Sequence, residues 1–157
     1  MGRTDYLHDP NGPRPNSVVP SVVAFVQNDQ GHVLMIQRTD NGRWALPGGG
    51  HDVGESISDT VIRETREETG IDVEVVDLSG IYTDPGHVMV YDDGEARQQF
   101  SMCFRARPVG GELRTSDETK EVRWVDPADL SALDIHPTMR LRIEHALDRT
   151  RAAPYIG

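Results

Sequence analysis

Short apolar runs alternate with glycine- and asparagine-rich breaks along this chain. Ser21–Val26 (SVVAFV) is β-branched and apolar, the mark of a well-buried strand. Turn residues Asn28-Asp29-Gln30-Gly31 follow, then a second apolar run, His32–Arg38, so the two predict a hairpin. After the turn at Thr39–Gly42, Trp44-Ala45-Leu46 is a short extended piece that ends at Pro47. Val73–Leu78 and Gly80–Thr83 read as strands. Val88–Tyr91 and Arg97–Arg107 read as a hairpin around Asp92-Asp93-Gly94. Glu121–Val125 is a last short strand, and Pro127–Leu130 opens a helical turn.

Two stretches change period from two to 3.6. Ile57–Thr69 predicts a helix with Ser56 as N-cap, Asp59 completing a capping box and Gly70 just past the C-terminus. Pro137–Thr150 predicts another, with Met139, Ile143, Ala146 and Leu147 on one face. Strands with one early and one late helix give an α/β (α+β) fold, a mixed sheet with helices on its two faces. Residues 1–17, with Pro10, Pro13 and Pro15, read as an irregular arm. Residues 18–153 read as one folded domain and 154–157 as a short tail.

Composition narrows the function. The 157 residues suit one domain. The formal net charge of −10 argues against stable nucleic-acid binding, which needs a basic footprint. It leaves room for a phosphate ligand if a divalent cation stands between the anions. Cys103 is the only cysteine, and no apolar run reaches membrane-spanning length. No signal-peptide core is evident, so a soluble cytoplasmic protein is the expectation.

The candidate chemistry lies in Gly49–Ile71 and the glycines before it. Pro47-Gly48-Gly49-Gly50 precede a helix carrying Arg63, Glu64, Glu67 and Glu68 within two turns. With Ile57 at zero, Glu64, Glu68 and Glu67 fall at roughly −20°, +20° and −80° around the helix. Ser58, Ile62, Thr65 and Thr69 fall between roughly +80° and +140°, on a face able to pack on the sheet. Acidic runs are mostly solvated surface. Here like charges face each other at i,i+4, and bare glycine backbone lies just upstream. Carboxylates with a backbone carbonyl suit Mg²⁺ or Mn²⁺, whereas no Cys/His cluster at zinc spacing is present.

These residues — Gly49, then after five intervening residues Glu55, after seven more Arg63-Glu64, then Glu67-Glu68 and Gly70 — resemble the Nudix box of the Nudix (MutT-like) hydrolases. Every charged and glycine position is present, and one position departs: Thr65 stands where the family usually has an aliphatic residue. The resemblance implies the Nudix fold, an α/β/α sandwich around a mixed sheet. It implies Mg²⁺ or Mn²⁺ held by Glu64, Glu67, Glu68 and the Gly48 carbonyl, with Glu55 and Arg63 fixing the loop and helix behind them. It also implies hydrolysis of the diphosphate in a nucleoside diphosphate linked to another moiety. Glu64 is one candidate base. Glu118, in the acidic stretch Ser116–Glu121, is the first choice for a further catalytic carboxylate and Glu121 the second.

Outside the box, Arg43, Tyr82, Asp84, His87 and Tyr91 are candidate substrate-binding residues, on loops or strand ends where recognition groups concentrate. Trp44, Trp124, Phe100 and Cys103 read as core. Pro85 stands 15 residues after Gly70, where ADP-ribose-cleaving relatives tend to carry proline. This leans toward ADP-ribose or a related nucleotide sugar. A (d)NTP pyrophosphohydrolase is the alternative, and a non-catalytic nucleotide sensor fits less well because the box glutamates are intact. The resemblance also allows a homodimer.

Overall fold

A computed structural model describes residues 2–157. Twelve strands and two α-helices build it. The central sheet has the order β12-β7-β10-β3-β6. It comprises Tyr155–Ile156 (β12), Ile71–Tyr82 (β7), Ser101–Gly111 (β10), Ser21–Val26 (β3) and Gly48–Gly50 (β6). β10 runs parallel to β3 and antiparallel to β7, so the sheet is mixed. A second sheet joins Thr119–Val125 (β11), Val33–Arg38 (β4) and Trp44–Ala45 (β5). A third, in the order β1-β8-β9-β2, joins Arg3–Leu7, His87–Tyr91, Ala96–Gln98 and Ser17–Val18.

Alternation along β3 divides the core. Val22, Ala24 and Val26 pack with Val61 of helix α1 (Ile57–Thr69). Val23 and Phe25 face the other way, with Ile143 and Ala146 of α2 (Pro137–Leu147). One helix thus covers each face of the sheet, as the period of its strands requires. α1 spans the residues its local signals predict. Ser56 accepts from Asp59 N–H, Asp59 reaches back to Ser56, and Gly70 takes the left-handed conformation at φ 78°.

Four expectations change. Residues 3–7 of the supposed irregular arm form β1, antiparallel to β8 from Arg3 opposite Tyr91 to Leu7 opposite His87. The prolines begin only at Pro10, so nothing prevents the first residues from pairing. β3 and β4 meet only at the Gln27–Val33 bridge, and β4 then pairs with β5 and β11 in another sheet. The run 97–107 breaks at Gln99-Phe100: β9 closes the hairpin with β8 while β10 enters the central sheet. The two predicted strands Val73–Leu78 and Gly80–Thr83 are parts of one twelve-residue strand, Ile71–Tyr82, bent by register shifts rather than interrupted. Among the described residues, no helix is long and apolar enough to cross a membrane.

Candidate active site

The glycine strand β6 is pressed between the central strand β3, which abuts Gly48, and helix α1, whose Glu64 abuts Gly49. A Cβ on Gly48 would collide with the Val22 carbonyl, and one on Gly49 would stand 2.5 Å from the Glu64 carboxylate. The Gly48 N–H donates to Glu68 Oε1 at 2.6 Å. Glu68 is 4% exposed, so it belongs to the packing side of the helix rather than to a solvated acidic face. Glu64 is half-buried and Glu67 is exposed.

Arg63 ties the loop to the helix. Its Nε donates to Glu55 Oε2 at 2.6 Å, and its Nη2 donates to Glu55 Oε1 and the Gly50 carbonyl, both at 3.0 Å. Nη1 donates to Glu64 at 2.8 Å and Glu67 at 3.3 Å. The Arg63 guanidinium holds the Glu55 carboxyl down to about 2. It does not reach Glu68. Burial, with the neighbouring Glu64 and Glu118 charges, pushes Glu68 up to about 8, against the opposing Gly48 hydrogen bond. Burial also raises Glu64. Burial of these two carboxyls thus opposes their ionisation more than the neighbouring cations favour it. Thr65, the departure from the family pattern, is fully buried, and its hydroxyl donates to the Val61 carbonyl at 2.7 Å.

Glu118 is close enough to Glu64 and Glu68 to raise both carboxyls. Its backbone carbonyl accepts from Thr39 N–H, and the next residue, Thr119, donates its hydroxyl to the Glu68 carbonyl. Glu121 instead pairs with Arg123 at 2.8 Å.

Gly48–Gly50 also form one wall of a cleft whose other walls come from β1, β8 and α2. Arg43, His87 and Tyr91 line it. Tyr82 and Asp84 do not. Tyr82 is buried in the α2-side core, stacked on His145 and Tyr155. Asp84 turns outward to His8 at 2.7 Å. Trp44 is buried, with Arg123 over its ring, and Cys103 is buried with its thiol pushed up to about 12. Arg3, Asp5, Arg38, His136 and Arg142 line the same cleft and were not anticipated from the sequence.

The NUDIX domain family matches residues 18–146. The chain belongs to the Nudix hydrolases. A "MutT-like protein" of Streptomyces ambofaciens is 37% identical over 136 residues, 87% of this chain and 80% of that one. An "ADP-ribose pyrophosphatase" of Methanocaldococcus jannaschii is 36% identical, covering 72% of this chain and 64% of its own. A "Nucleoside triphosphatase NudI" of Salmonella agona is 31% identical, covering 76% and 89%. A Nudix hydrolase structure from Nitrosomonas europaea superposes with a TM-score of 0.73 at 20% identity, over 90% of this chain and 80% of that one, and shows the shared fold. The protein is thus a hydrolase of phosphoric anhydride bonds in the Nudix fold, of a family that acts on small nucleotides and generally needs a divalent metal.

The Nudix box offers hard oxygen donors to such an ion: Glu64, Glu67 and Glu68 with the glycine carbonyls beside them. A second group, Asp5, His87 and His136, brings one donor atom each to within 4.8 Å of the others. Its two imidazoles are not arranged to share one metal ion. The two imidazoles stack at 5.2 Å and 10°, so one ion cannot lie in both ring planes. His136 Nδ1 accepts from the Thr138 N–H as the α2 cap, which leaves the ring proton on Nε2. Burial lowers His136 to about 4, so it is neutral at pH 7.

Proposed function

We propose that this Nudix hydrolase uses Mg²⁺ or Mn²⁺ to cleave the diphosphate of a nucleoside diphosphate linked to another moiety. ADP-ribose or a related nucleotide sugar is the best candidate substrate. The observation that carries the reading is the meeting of the half-buried Glu64 and the buried Glu68 with the glycine backbone at the wall of a cleft bearing four arginines. In this reading Glu64, Glu67, Glu68 and the Gly48 carbonyl hold the ion. When bound, it neutralises the diphosphate and polarises the attacked phosphorus. Arg63 and Glu55 fix the carboxylates, and Arg38 and Arg43 meet the substrate's charge. Glu118 takes the proton from the attacking water, being the carboxylate outside the box closest to Glu64 and Glu68 in its electrostatic effect.

Glu118→Gln is expected to lower kcat about 10²-fold or more, the scale of a general base, at saturating Mg²⁺. Glu121→Gln, which removes only a partner of Arg123, changes kcat little. The reverse order in steady-state kinetics would move the base to Glu121.

The preference for ADP-ribose rests on the position of Pro85 and on the Methanocaldococcus relative's name. Pro85 itself is exposed, outside the cleft, while the turn it belongs to sends His87 inward. The name of the Salmonella relative supports a nucleoside triphosphate instead. A nucleotide panel assayed by phosphate release with a coupled phosphatase tests the choice. A higher kcat/KM for ADP-ribose than for (d)NTPs is expected. The opposite ranking overturns the ADP-ribose reading and leaves the pyrophosphohydrolase intact.

A further inference from the structure

Among the described residues, one arginine of the cleft has no acidic partner. Arg142 lies on the apolar stripe of α2, three residues past Met139 and next to Ile143, and is 2% exposed. Its Nη1 donates to the Thr138 carbonyl one helical turn back, at 2.6 Å. Its guanidinium carbon stands 4.5 Å from the centre of the Tyr82 ring. Its Nε is buried without a partner. Among the described residues no carboxylate lies within ion-pairing distance of it, whereas the other cleft arginines have acidic partners: Arg3 has Asp5, Arg38 has Asp40 and Arg43 has Asp134.

The electrostatic neighbours of Arg142 do not redress the imbalance. They are Cys103 and Tyr82, both of which burial keeps protonated, and Arg3, which repels it. An arginine without an anion in such a place is expensive, because its desolvation is not repaid by a partner. A small apolar side chain on the same stripe would cost nothing of the kind. The guanidinium fork fits phosphate oxygens, and its stack on Tyr82 holds the fork in one plane. The position is also separated from the box. Arg142 belongs to the helix that covers one face of the central sheet, and Glu64 and Glu68 belong to the helix on the other.

We propose that Arg142 is a phosphate anchor at the end of the cleft remote from the box glutamates, and that the enzyme selects nucleotides carrying a phosphomonoester besides the reacting diphosphate. The selectivity rests on the pyrophosphohydrolase reading above; the anchor itself does not. Arg142 acts on binding, so its loss raises KM and spares kcat.

The test begins in EDTA, where hydrolysis plays no part. Inorganic phosphate, compared with potassium chloride at matched ionic strength, is expected to raise the melting temperature of the wild-type protein. A ligand at 100 times its Kd stabilises by RT ln 101, which gives a readable shift. Arg142→Met is expected to melt at or above the wild-type temperature and to ignore phosphate, and Arg142→Lys to keep part of the response. Glu68→Gln keeps all of it. No phosphate shift in the wild type, or the same shift in Arg142→Met, overturns the anchor. If Arg142→Met does not fold, Arg142→Lys carries the comparison: a phosphate shift equal to that of the wild type overturns the anchor and a reduced one supports it.

ADP-ribose and its 2′-phosphate, titrated calorimetrically in EDTA, then separate the two sources of phosphate. The wild type is expected to bind the 2′-phosphate form roughly tenfold tighter, as one charge-assisted pair allows, and Arg142→Met to bind the two alike. Equal binding of the two by the wild type, with both weakened alike in Arg142→Met, would assign Arg142 to the reacting diphosphate and overturn the second-phosphate selectivity. Failure of every nucleotide in the hydrolysis panel, with the phosphate shift intact, would sink the catalytic reading and leave the anchor standing.

Discussion

Glu68→Gln is expected to reduce turnover on the order of 10²–10³-fold while the fold survives and becomes less sensitive to pH. Glutamine keeps the shape and can still accept from the Gly48 N–H, so the packing of α1 on β6 persists. The variant loses only the charge, the one property that a cation or a developing phosphoryl charge would use. Glu67→Gln, on an exposed side chain, tests the same assignment with less structural risk. Unchanged turnover in both variants would remove these carboxylates from the chemistry.

The pH dependence gives a second readout. Without metal, burial raises the Glu68 carboxyl from 4.5 to about 8 in the folded protein. Between those values the unfolded chain has released this proton and the folded one still holds it. The stability from Glu68 is therefore full below about pH 4.5 and is lost as pH rises toward 8. In EDTA, the wild-type melting temperature should fall relative to that of Glu68→Gln across this window. Added Mg²⁺ or Mn²⁺ should close the gap, because a bound cation favours the ionised form. A constant difference between the two proteins from pH 5 to 8.5 would mean that Glu68 ionises without cost where it sits.

Legibility in the sequence followed the range of the interactions. Helix α1 could be read residue by residue because its determinants are local: a capping box at Ser56 and Asp59, and Gly70 at a left-handed position. The loop-to-helix ties of Arg63 also fell within a short stretch and were readable as a pattern. The helical wheel placed the acids on one side, but Glu68 at roughly +20° borders Val61 at roughly +40°, and packing took it inside. The cleft was mostly hidden. It forms where β1 (Arg3–Leu7), paired with β8, meets the start of α2, so its members are far apart in sequence. Tyr82 and Asp84 illustrate the failure: proximity along the chain to His87 suggested a shared site, yet the end of β7 points Tyr82 into the core and the turn sends Asp84 to His8. Arg142 did leave a trace, a charged residue on a stripe otherwise made of Met139, Ile143 and Ala146. A lone arginine in such a stripe is more often a side chain whose stem packs and whose head escapes to water. Only its burial separates the two cases.

The neighbouring glycines Gly48 and Gly49 should fail in different ways when given a methyl group. In Gly48→Ala the new Cβ meets the Val22 carbonyl and the Val23 Cα, both backbone atoms of the central strand β3. Neither can rotate away. Relief requires β6 to separate from β3, breaking the Val23–Gly48 register and taking the Gly48 N–H away from Glu68. Overpacking against backbone in a core of this kind costs about 3 kcal/mol or more. For a domain of this length that lowers the melting temperature by roughly 6–12 °C. In Gly49→Ala the obstacle is the end of a side chain, the Glu64 carboxylate, which can swing aside. Stability should fall little, but Glu64 leaves the position set by Arg63, and kcat should drop by about 10²-fold, since small displacements of a reacting geometry cost that much. Urea unfolding and steady-state turnover on both variants separate the two outcomes. A Gly48→Ala protein as stable as the wild type would contradict the close packing of β6 on β3. A Gly49→Ala protein with full activity would show that the observed Glu64 position is not the one the reaction uses.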